Sequence, residues 1–240
     1  MRAYLNLRYM DDLRAQLFRT GLTSLGYTVL HGLCSKPESG DIFCTWNRIG
    51  TADHIANCFQ GKRCAVIVAE NASWGNEFAG ERWYHMASNF HNTAGCFPIG
   101  GPERWDSLGI MLQPWRTRGE TVILPQRGIG PEGVAMPKGW VNGKEGRVRS
   151  HPGKRSDGRT LDEDLANAGR VVTWGSGAAI KAAIMGIPVV SDYPRWIGRH
   201  EPTNEDRLRM FRELAWSQFT YKEIESGFPF RRLINFHGVK

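Results

Sequence analysis

Short apolar runs alternate with amphipathic stretches along much of the chain, which is the pattern of strands alternating with helices. Residues 3–9 predict a strand, and the leucines of residues 11–25 recur near helical spacing until Gly26 ends the pattern. Residues 27–31 predict the next strand, and a strand–helix–strand beginning indicates a parallel α/β sheet. The run at 64–69 is apolar throughout, as expected of a central strand that is covered on both faces.

The alternation stops in the middle of the chain and then resumes. Residues 73–118 are rich in Trp, Gly, Asn and His, and such tryptophans either pack or bind a ligand. We therefore predict an α/β protein with two Rossmann-like parallel-sheet halves, at residues 1–118 and 119–204. Apolar residues at helical spacing predict one long C-terminal helix, residues 205–226, within a closing segment, 205–240, that packs back on the body.

Composition narrows the class of protein. The 240 residues carry a formal net charge of +7 at pH 7, which favours polyanionic or at least phosphate-bearing partners. The positive side chains are spread out, and no run of Lys and Arg is long enough to be a tail. Five cysteines without a CxxC pair argue against a disulfide framework or a zinc site. HExxH and GxSxG are also absent, so the common metalloprotease and serine-hydrolase signatures are excluded. We find no signal-peptide or membrane-spanning run and expect a cytoplasmic protein.

The clearest local motif is a strand, a glycine turn and a helix in immediate succession. The predicted strand covers residues 171–174 and includes Thr173, Gly175-Ser176-Gly177 forms the turn, and the helix follows at once. Glycines let a backbone approach a ligand, and the N–H groups that begin a helix bind anions, to which Ser176 adds a hydroxyl. In the alternative interpretation the turn is structural and Ser176 only caps the helix. Lys181, one turn into the helix, is either a phosphate ligand or a surface lysine.

Two other loops follow strands of the same predicted sheet. Arginine and histidine side chains donate hydrogen bonds to phosphate or ribose oxygens, and glycines bring backbone N–H groups close to a diphosphate. Because the carboxyl ends of parallel strands meet at one edge of a sheet, we expect all three loops to surround one anionic ligand. These two loops supply the remaining candidate ligands: Gln126, Arg127, Gly128, Gly130, Arg149, His151 and Pro152.

As an ordered set, these motifs resemble the carboxyl-terminal half of GT-B glycosyltransferases, above all the capsule-polysaccharide transferases. The resemblance rests on His151-Pro152, Asp164-Leu165, the turn at 171–177 and the stretch GIPV at 186–189, and it covers about residues 120–200. It implies a GT-B-like fold with two facing Rossmann-like domains. It also implies a nucleotide-sugar donor held mainly by the second domain, and catalysis that needs no bound metal or other cofactor.

The middle of the chain is also similar to uncharacterised bacteriophage proteins. The similar phrases include HNTAGCFPIGGPERWDSLGI and PQRGIGPEGVAMP. A phage protein of this kind would act in the host cytoplasm. Together with the positive charge, this resemblance makes a modified base in phage DNA one candidate acceptor, and a cell-surface glycan is the other.

Glycosyl transfer also needs a base that takes the proton of the acceptor hydroxyl. Glu70, at the end of the central strand of the first half, is the first candidate, His91 is the second and Asp41 the third. The structural alternatives are a loop carboxylate that caps a turn for Glu70 and a packed histidine for His91.

Three functions remain open at this point. The preferred one is a nucleotide-sugar-dependent glycosyltransferase. The second is a GT-B-like protein that binds or sequesters a nucleotide derivative without turnover. A nucleic-acid-binding protein without a nucleotide site ranks last, because the positive residues are not clustered.

Overall fold

The computed structural model describes residues 1–7, 12–91, 95–130, 132–150 and 159–237. The chain forms two compact units, each with its own sheet. The first unit contains Met1–Ala72, Asn76–Gly100 and the segment from Ala215 onward, and the second contains Ser73–Gly75 and Gly101–Leu214. The units therefore divide at Gly101 and Ala215, whereas the boundaries predicted from the sequence follow residues 118 and 204. Across the described ranges, no helix is both long and apolar enough to cross a membrane.

Strands and helices alternate as the hydrophobic pattern indicates. The strands are β1 (Arg2–Asn6), β2 (Thr28–His31), β3 (Ile42–Trp46), β4 (Ala65–Asn71), β5 (Glu77–Phe78), β6 (Glu81–Ser88), β7 (Glu120–Leu124), β8 (Arg147–Val148), β9 (Ala168–Thr173), β10 (Val189–Ser191) and β11 (Gln218–Thr220). The helices are α1 (Leu13–Thr23), α2 (Thr51–Gly61), α3 (Glu103–Asp106), α4 (Leu161–Leu165), α5 (Ala178–Ile184), α6 (Asn204–Leu214), α7 (Tyr221–Glu225) and α8 (Phe228–His237).

The first sheet lies between two apolar layers. Its strand order is β11–β6–β4–β3–β1–β2, with β5 paired to β6, and β1 to β4 are parallel. Successive side chains of a strand point to opposite faces. Ile67 therefore belongs to the layer that holds Phe18 of α1 and Phe230 of α8, while Val66 packs in the layer of Phe59 from α2. Both faces of β4 are buried, as the apolar run at 64–69 predicts.

The single C-terminal helix predicted for residues 205–226 is wrong. Helix α6 ends at Leu214, and the chain then forms β11, which pairs antiparallel with β6. Phe219 of β11 is completely buried in the first unit. A capping box begins α7: the Thr220 side chain accepts the Glu223 N–H, and the Glu223 carboxylate accepts the Thr220 N–H. The spacing of apolar residues alone does not show that residues 218–220 pair with the distant strand β6, so it could not predict a strand there.

The second sheet is fully parallel, with strand order β10–β9–β7–β8. From β7 the chain crosses to β8 on one side, and from β9 it crosses to β10 on the other side. The strand order therefore reverses between the neighbouring strands β7 and β9. The parallel part of the first sheet has the same arrangement, with β1 and β3 as the neighbours. This is a Rossmann-like strand arrangement, and ligands of such sheets bind at the carboxyl ends of the two strands where the order reverses.

Candidate functional site

The loops after β7 and β9 meet at the carboxyl edge of the second sheet. Gln126 Nε2 donates a hydrogen bond to the carbonyl oxygen of Gly175 at 3.4 Å. Thr173, at the end of β9, donates its hydroxyl to the Leu124 carbonyl of β7 at 2.8 Å. Gln126 Oε1 is buried and accepts no hydrogen bond from the residues that the structure describes. The structure thus brings Gln126, Thr173 and Gly175 together where the strand order reverses.

Thr173 also shapes the glycine turn. Its Oγ1 accepts hydrogen bonds from the N–H groups of Gly175 at 3.2 Å and Ser176 at 2.8 Å. Gly175 has φ of 98°, a conformation that favours glycine. Ser176 Oγ accepts the N–H of Ala178, the first residue of α5, at 3.3 Å, while Gly177 is the N-cap residue. Thr173 therefore holds the backbone of the turn itself, while the sequence prediction of anion binding concerns the N–H groups that begin α5.

Two of the predicted cationic ligands form ion pairs within the second unit. Arg149 Nε lies 2.6 Å from one oxygen of Asp164, and Arg147 Nη1 lies 2.7 Å from the other. Asp164 is only 1% exposed. Burial raises the pKa of this carboxyl, but hydrogen bonds from the two arginines bring the pKa below its usual value. Lys181 Nζ contacts Asp162 at 2.7 Å, and both of these side chains are substantially exposed.

The other predicted ligands of this edge are less constrained. Arg127 is exposed in the loop after β7. Gly128 and Gly130 flank its bend, with φ of 72° and 130°. His151 and Pro152 lie outside the described residues. Ligand binding by these residues stays a prediction.

The sequence analysis missed Asp192, which follows β10 on the same edge. Its N–H donates to the Thr173 carbonyl at 3.0 Å, so it lies beside the glycine turn. Asp192 Oδ2 accepts hydrogen bonds from Lys144 Nζ at 2.6 Å and from Trp140 Nε1 at 2.9 Å; the Lys144 bond above all, and then the Trp140 bond, lower the pKa of the carboxyl. The Trp140 ring lies 6.3 Å from that of Trp174. The sequence does contain a signal for Asp192, because a carboxylate that directly follows the strand after a glycine turn is a known feature of nucleotide-binding units.

A row of polar side chains crosses the carboxyl edge of the first sheet. Glu70 of β4 is directly opposite His85 of β6, and His85 is directly opposite Gln218 of β11. Opposite residues of antiparallel strands share a face of the sheet. Farther along the same edge, Asn6 Nδ2 donates to Thr45 Oγ1 at 3.1 Å, between β1 and β3. Sequence reasoning found only Glu70 of these five residues.

His85 is completely buried at the centre of this row. Its Nδ1 lies 2.9 Å from Gln218 Nε2. The amide nitrogen can only donate, so Nδ1 is the acceptor and the neutral ring carries its proton on Nε2. That Nε2 has no hydrogen-bond partner among the described residues. Burial, and then the neighbouring His91, lower the pKa of His85 to about 3.

His91 is the second base candidate, and the structure places it near His85. It is 8% exposed, and its Nδ1 accepts the backbone N–H of Arg48 at 3.4 Å. Burial, and then the charge of Arg48, lower its pKa to about 4. Both imidazoles are thus neutral at pH 7. Glu70 and His91 therefore both lie close to His85. In the sequence, only the position of His85 within a strand rich in aromatic residues could have indicated its role.

Asp41, the third base candidate, lies at the opposite end of the first sheet. It precedes β3 and is 3% exposed. Arg2 Nη2 contacts its carboxylate at 2.6 Å, and the N–H of Glu38 donates to it at 3.0 Å. Asp41 fixes the starts of β1 and β3 and does not join Glu70 and His91.

Comparisons with known proteins identify the fold. No protein-family model matches the sequence, and no curated protein matches it. The KpsC β-Kdo 2,4-transferase of Thermosulfurimonas dismutans is similar in structure, with a TM-score of 0.53 and 15% identity over 92% of each chain. The KpsC β-Kdo 2,7-transferase of the same organism aligns with a TM-score of 0.48 and 10% identity, over 96% of this chain and 99% of that one. The chain therefore has a glycosyltransferase-like α/β fold.

Proposed function

We propose that this protein is a glycosyltransferase that takes its sugar from a nucleotide-linked donor bound at the carboxyl edge of the second sheet. The observation that carries the proposal is the contact of Gln126 with Gly175 between β7 and β9, where sheets of this order bind ligands. The fold shared with a Kdo transferase supports the same reaction class.

The donor phosphates require hydrogen-bond donors that can reach them at low cost. The ion pair between Lys181 and Asp162 is exposed at 38% and 62%, and such pairs contribute about 0–1 kcal/mol, so Lys181 can leave Asp162 for a phosphate. Arg149 is bound to the buried Asp164 and leaves it only at a much larger cost. We therefore assign phosphate binding to Lys181, Arg127 and the Ser176 hydroxyl, and a supporting role to Arg149.

The acceptor hydroxyl requires a base, which we assign to Glu70. It lies at the carboxyl end of β4, where ligands of open α/β sheets bind. His91 is the alternative base, but burial lowers its pKa to about 4, so its ring is a weaker base than an ordinary histidine. The net charge of +7 favours an acceptor that is itself anionic, such as phage DNA with a modified base, over a neutral glycan.

Calorimetric titration with UDP, CMP and GDP tests the donor site. We expect one of the three nucleotides to bind, and Ser176→Ala to weaken its binding about tenfold, as loss of one hydrogen bond to a charged group predicts. Ser107→Ala is the matched control, because Ser107 is an exposed serine of the same unit whose hydroxyl contacts only a backbone carbonyl. Absence of binding by all three nucleotides would contradict the proposal.

Turnover separates an enzyme from a binding protein. The measurement is release of free nucleotide from UDP-, CMP- and GDP-sugars in the presence of phage DNA or of an oligosaccharide. We expect release with one acceptor class, and Glu70→Gln should lower the rate at least a hundredfold while nucleotide binding persists. A donor that binds tightly and is recovered unchanged with both acceptors would instead indicate the sequestering function.

A further inference from the structure

We infer that Arg14, together with the hydroxyl pair of Tyr84 and Tyr221, binds a backbone phosphate of a DNA acceptor at the carboxyl edge of the first sheet. The inference rests on the proposed function, because it assigns how the acceptor is held. All three residues belong to the first unit, and no sequence motif indicated any of them.

The topology of the first sheet brings these residues to one edge. Arg14 is the second residue of α1, the helix that follows the carboxyl end of β1, and Trp46 is the last residue of β3. Tyr84 of β6 is opposite the last residue of β4, and Tyr221 begins α7 directly after β11. Glu70, the proposed base, is one residue from the end of β4 at the same edge. Open α/β sheets bind their ligands at this edge.

Aromatic rings hold the guanidinium of Arg14, without an ion pair to any acidic residue that the structure describes. Its Cζ lies 3.6 Å from the centre of the Trp46 ring and 5.4 Å from that of the Tyr84 ring. At 3.6 Å the guanidinium plane must lie on the ring face, so the N–H groups along its edge point away from Trp46. Nε is buried and has no hydrogen-bond partner among the described residues. Stacking therefore fixes the direction of a charged donor whose charge is not neutralised locally.

The two tyrosine hydroxyls supply a further donor beside Arg14. Tyr221 Oη lies 2.7 Å from Tyr84 Oη, so the two oxygens share one hydrogen bond. Each hydroxyl carries one proton, and the pair therefore keeps a second proton that no residue in the described ranges accepts. Burial, and then the hydrogen bond to Tyr84, raise the pKa of Tyr221, so its hydroxyl is protonated at pH 7.

The chemistry of this group of side chains selects the ligand. It offers a positive charge and hydrogen-bond donors, so a suitable ligand carries negative charge and accepts several hydrogen bonds, as a phosphate does. Arginine and tyrosine side chains are among the usual donors to the phosphates of DNA. Arg14, Trp46 and Tyr221 are half-buried, so a ligand can reach them from solvent. The net charge of +7 favours an acceptor with many phosphates, and we therefore assign DNA.

Fluorescence anisotropy with a labelled single-stranded DNA of about 12 nucleotides tests the inference. Backbone contacts do not depend on base sequence, so an unmodified oligonucleotide is a sufficient probe. We expect the wild-type protein to bind it and Arg14→Gln to bind it about tenfold more weakly, as loss of a hydrogen bond between charged groups predicts. The slope of log affinity against log salt should also become less steep by about 0.7, the value for one phosphate contact to a single strand. Loss of packing alone would leave this slope unchanged.

Further variants separate the site from net charge and from folding. Arg19→Gln is the matched control, because Arg19 is an exposed arginine of the same helix and its loss removes the same charge. It should leave the affinity and the salt slope nearly unchanged. Arg14→Lys keeps the charge without the planar fork of donors, so it should keep the wild-type slope with reduced affinity. The double variant Tyr84→Phe, Tyr221→Phe should also weaken binding at an unchanged slope, because it removes donors and no charge.

Two results would overturn the inference: failure of the wild-type protein to bind the oligonucleotide, and an Arg14→Gln variant with unchanged affinity and salt slope. Both would leave the proposed function standing, with a glycan as the acceptor. The proposed function fails in a different measurement, the calorimetric titration with UDP, CMP and GDP, which concerns the second unit.

Discussion

At the scale of single residues, the Thr173 hydroxyl makes the most consequential contacts of the second unit. It donates to β7 through the Leu124 carbonyl and accepts two N–H groups of the glycine turn. The side chain is completely buried, so water cannot replace any of these bonds. One hydroxyl thereby joins neighbouring strands and fixes the backbone where we place the donor phosphates.

Replacement of this hydroxyl tests its structural importance. Thr173→Val keeps the shape of the side chain and removes its hydrogen bonds to three backbone groups, two of which are buried bonds, so we expect a loss of about 3 kcal/mol in the free energy of unfolding. Urea denaturation measures the change, and Thr173→Ser, which retains the hydroxyl, is the control. Similar stability of the valine and serine variants would show that the turn does not depend on the hydroxyl.

The buried histidines predict an acid-sensitive first unit. His85 and His91 have pKa values lowered to about 3 and about 4, whereas an unfolded histidine titrates near its ordinary value, about 6.5. As the pH falls below that ordinary value, the unfolded chain takes up protons that the folded chain cannot. Stability is therefore full above about pH 6.5 and decreases as the pH falls towards 4, by about 1.4 kcal/mol per pH unit for each histidine.

Urea denaturation between pH 7 and pH 4.5 checks this pH dependence. Carboxylates also contribute to the loss of stability at low pH. The informative quantity is therefore the difference in unfolding free energy between wild type and His85→Gln, which removes one of the two histidines with a lowered pKa. The variant should start less stable at pH 7 and lose stability less steeply with acid. Parallel curves for the two proteins would exclude His85 as a source of the acid sensitivity.

At the scale of elements, the sequence predicted those whose neighbours are close along the chain. The runs that became β9, α5 and β10 are bounded by glycine and proline, so their periods and ends are visible locally. Strand β11 has no such local signal, because its partner β6 is more than a hundred residues away in the chain. The same reason explains why Glu70 was predictable as a strand end while His85 and Gln218 were not, since only their register across strands brings them together.

The C-terminal end of α5 supplies a prediction at this scale. Gly186 has φ of 74°, and a Cβ there would overlap the carbonyl oxygen of Pro114, so Gly186→Ala should destabilise the protein by well over 1 kcal/mol. Gly109 has φ of 64° with open space around it, so Gly109→Ala isolates the conformational cost alone, about 1 kcal/mol. Thermal unfolding of both variants measures the difference. Equal melting temperatures would mean that the Pro114 segment moves away freely.

At the scale of the whole molecule, the first unit is discontinuous. The chain leaves it at Gly100 and re-enters at Ala215, and the returning segment contributes Phe219, Ile224 and Phe230 to its core. The last strand of its sheet therefore comes from the far end of the sequence.

Truncation tests how much the first unit depends on this segment. A chain that ends at Leu214 leaves the edge of β6 unpaired and the core open, and we expect it to aggregate or to lose its near-ultraviolet circular dichroism. Phe219→Ala in the full chain is the control for loss of apolar packing alone, with an expected cost of about 3–5 kcal/mol and retained solubility. A soluble, cooperatively unfolding chain without residues 215–240 would contradict this expectation.

The late position of β11 also has a consequence for biosynthesis. The ribosome synthesises the entire second unit before it synthesises β11, the edge strand of the first sheet. The second unit can therefore fold while the edge of β6 in the first unit is still unpaired. Throughout that interval the nascent polypeptide is open to pairing with other chains. Slow translation between codons 101 and 214 should therefore favour aggregation in the cell, and chaperone supply should matter most during that stretch.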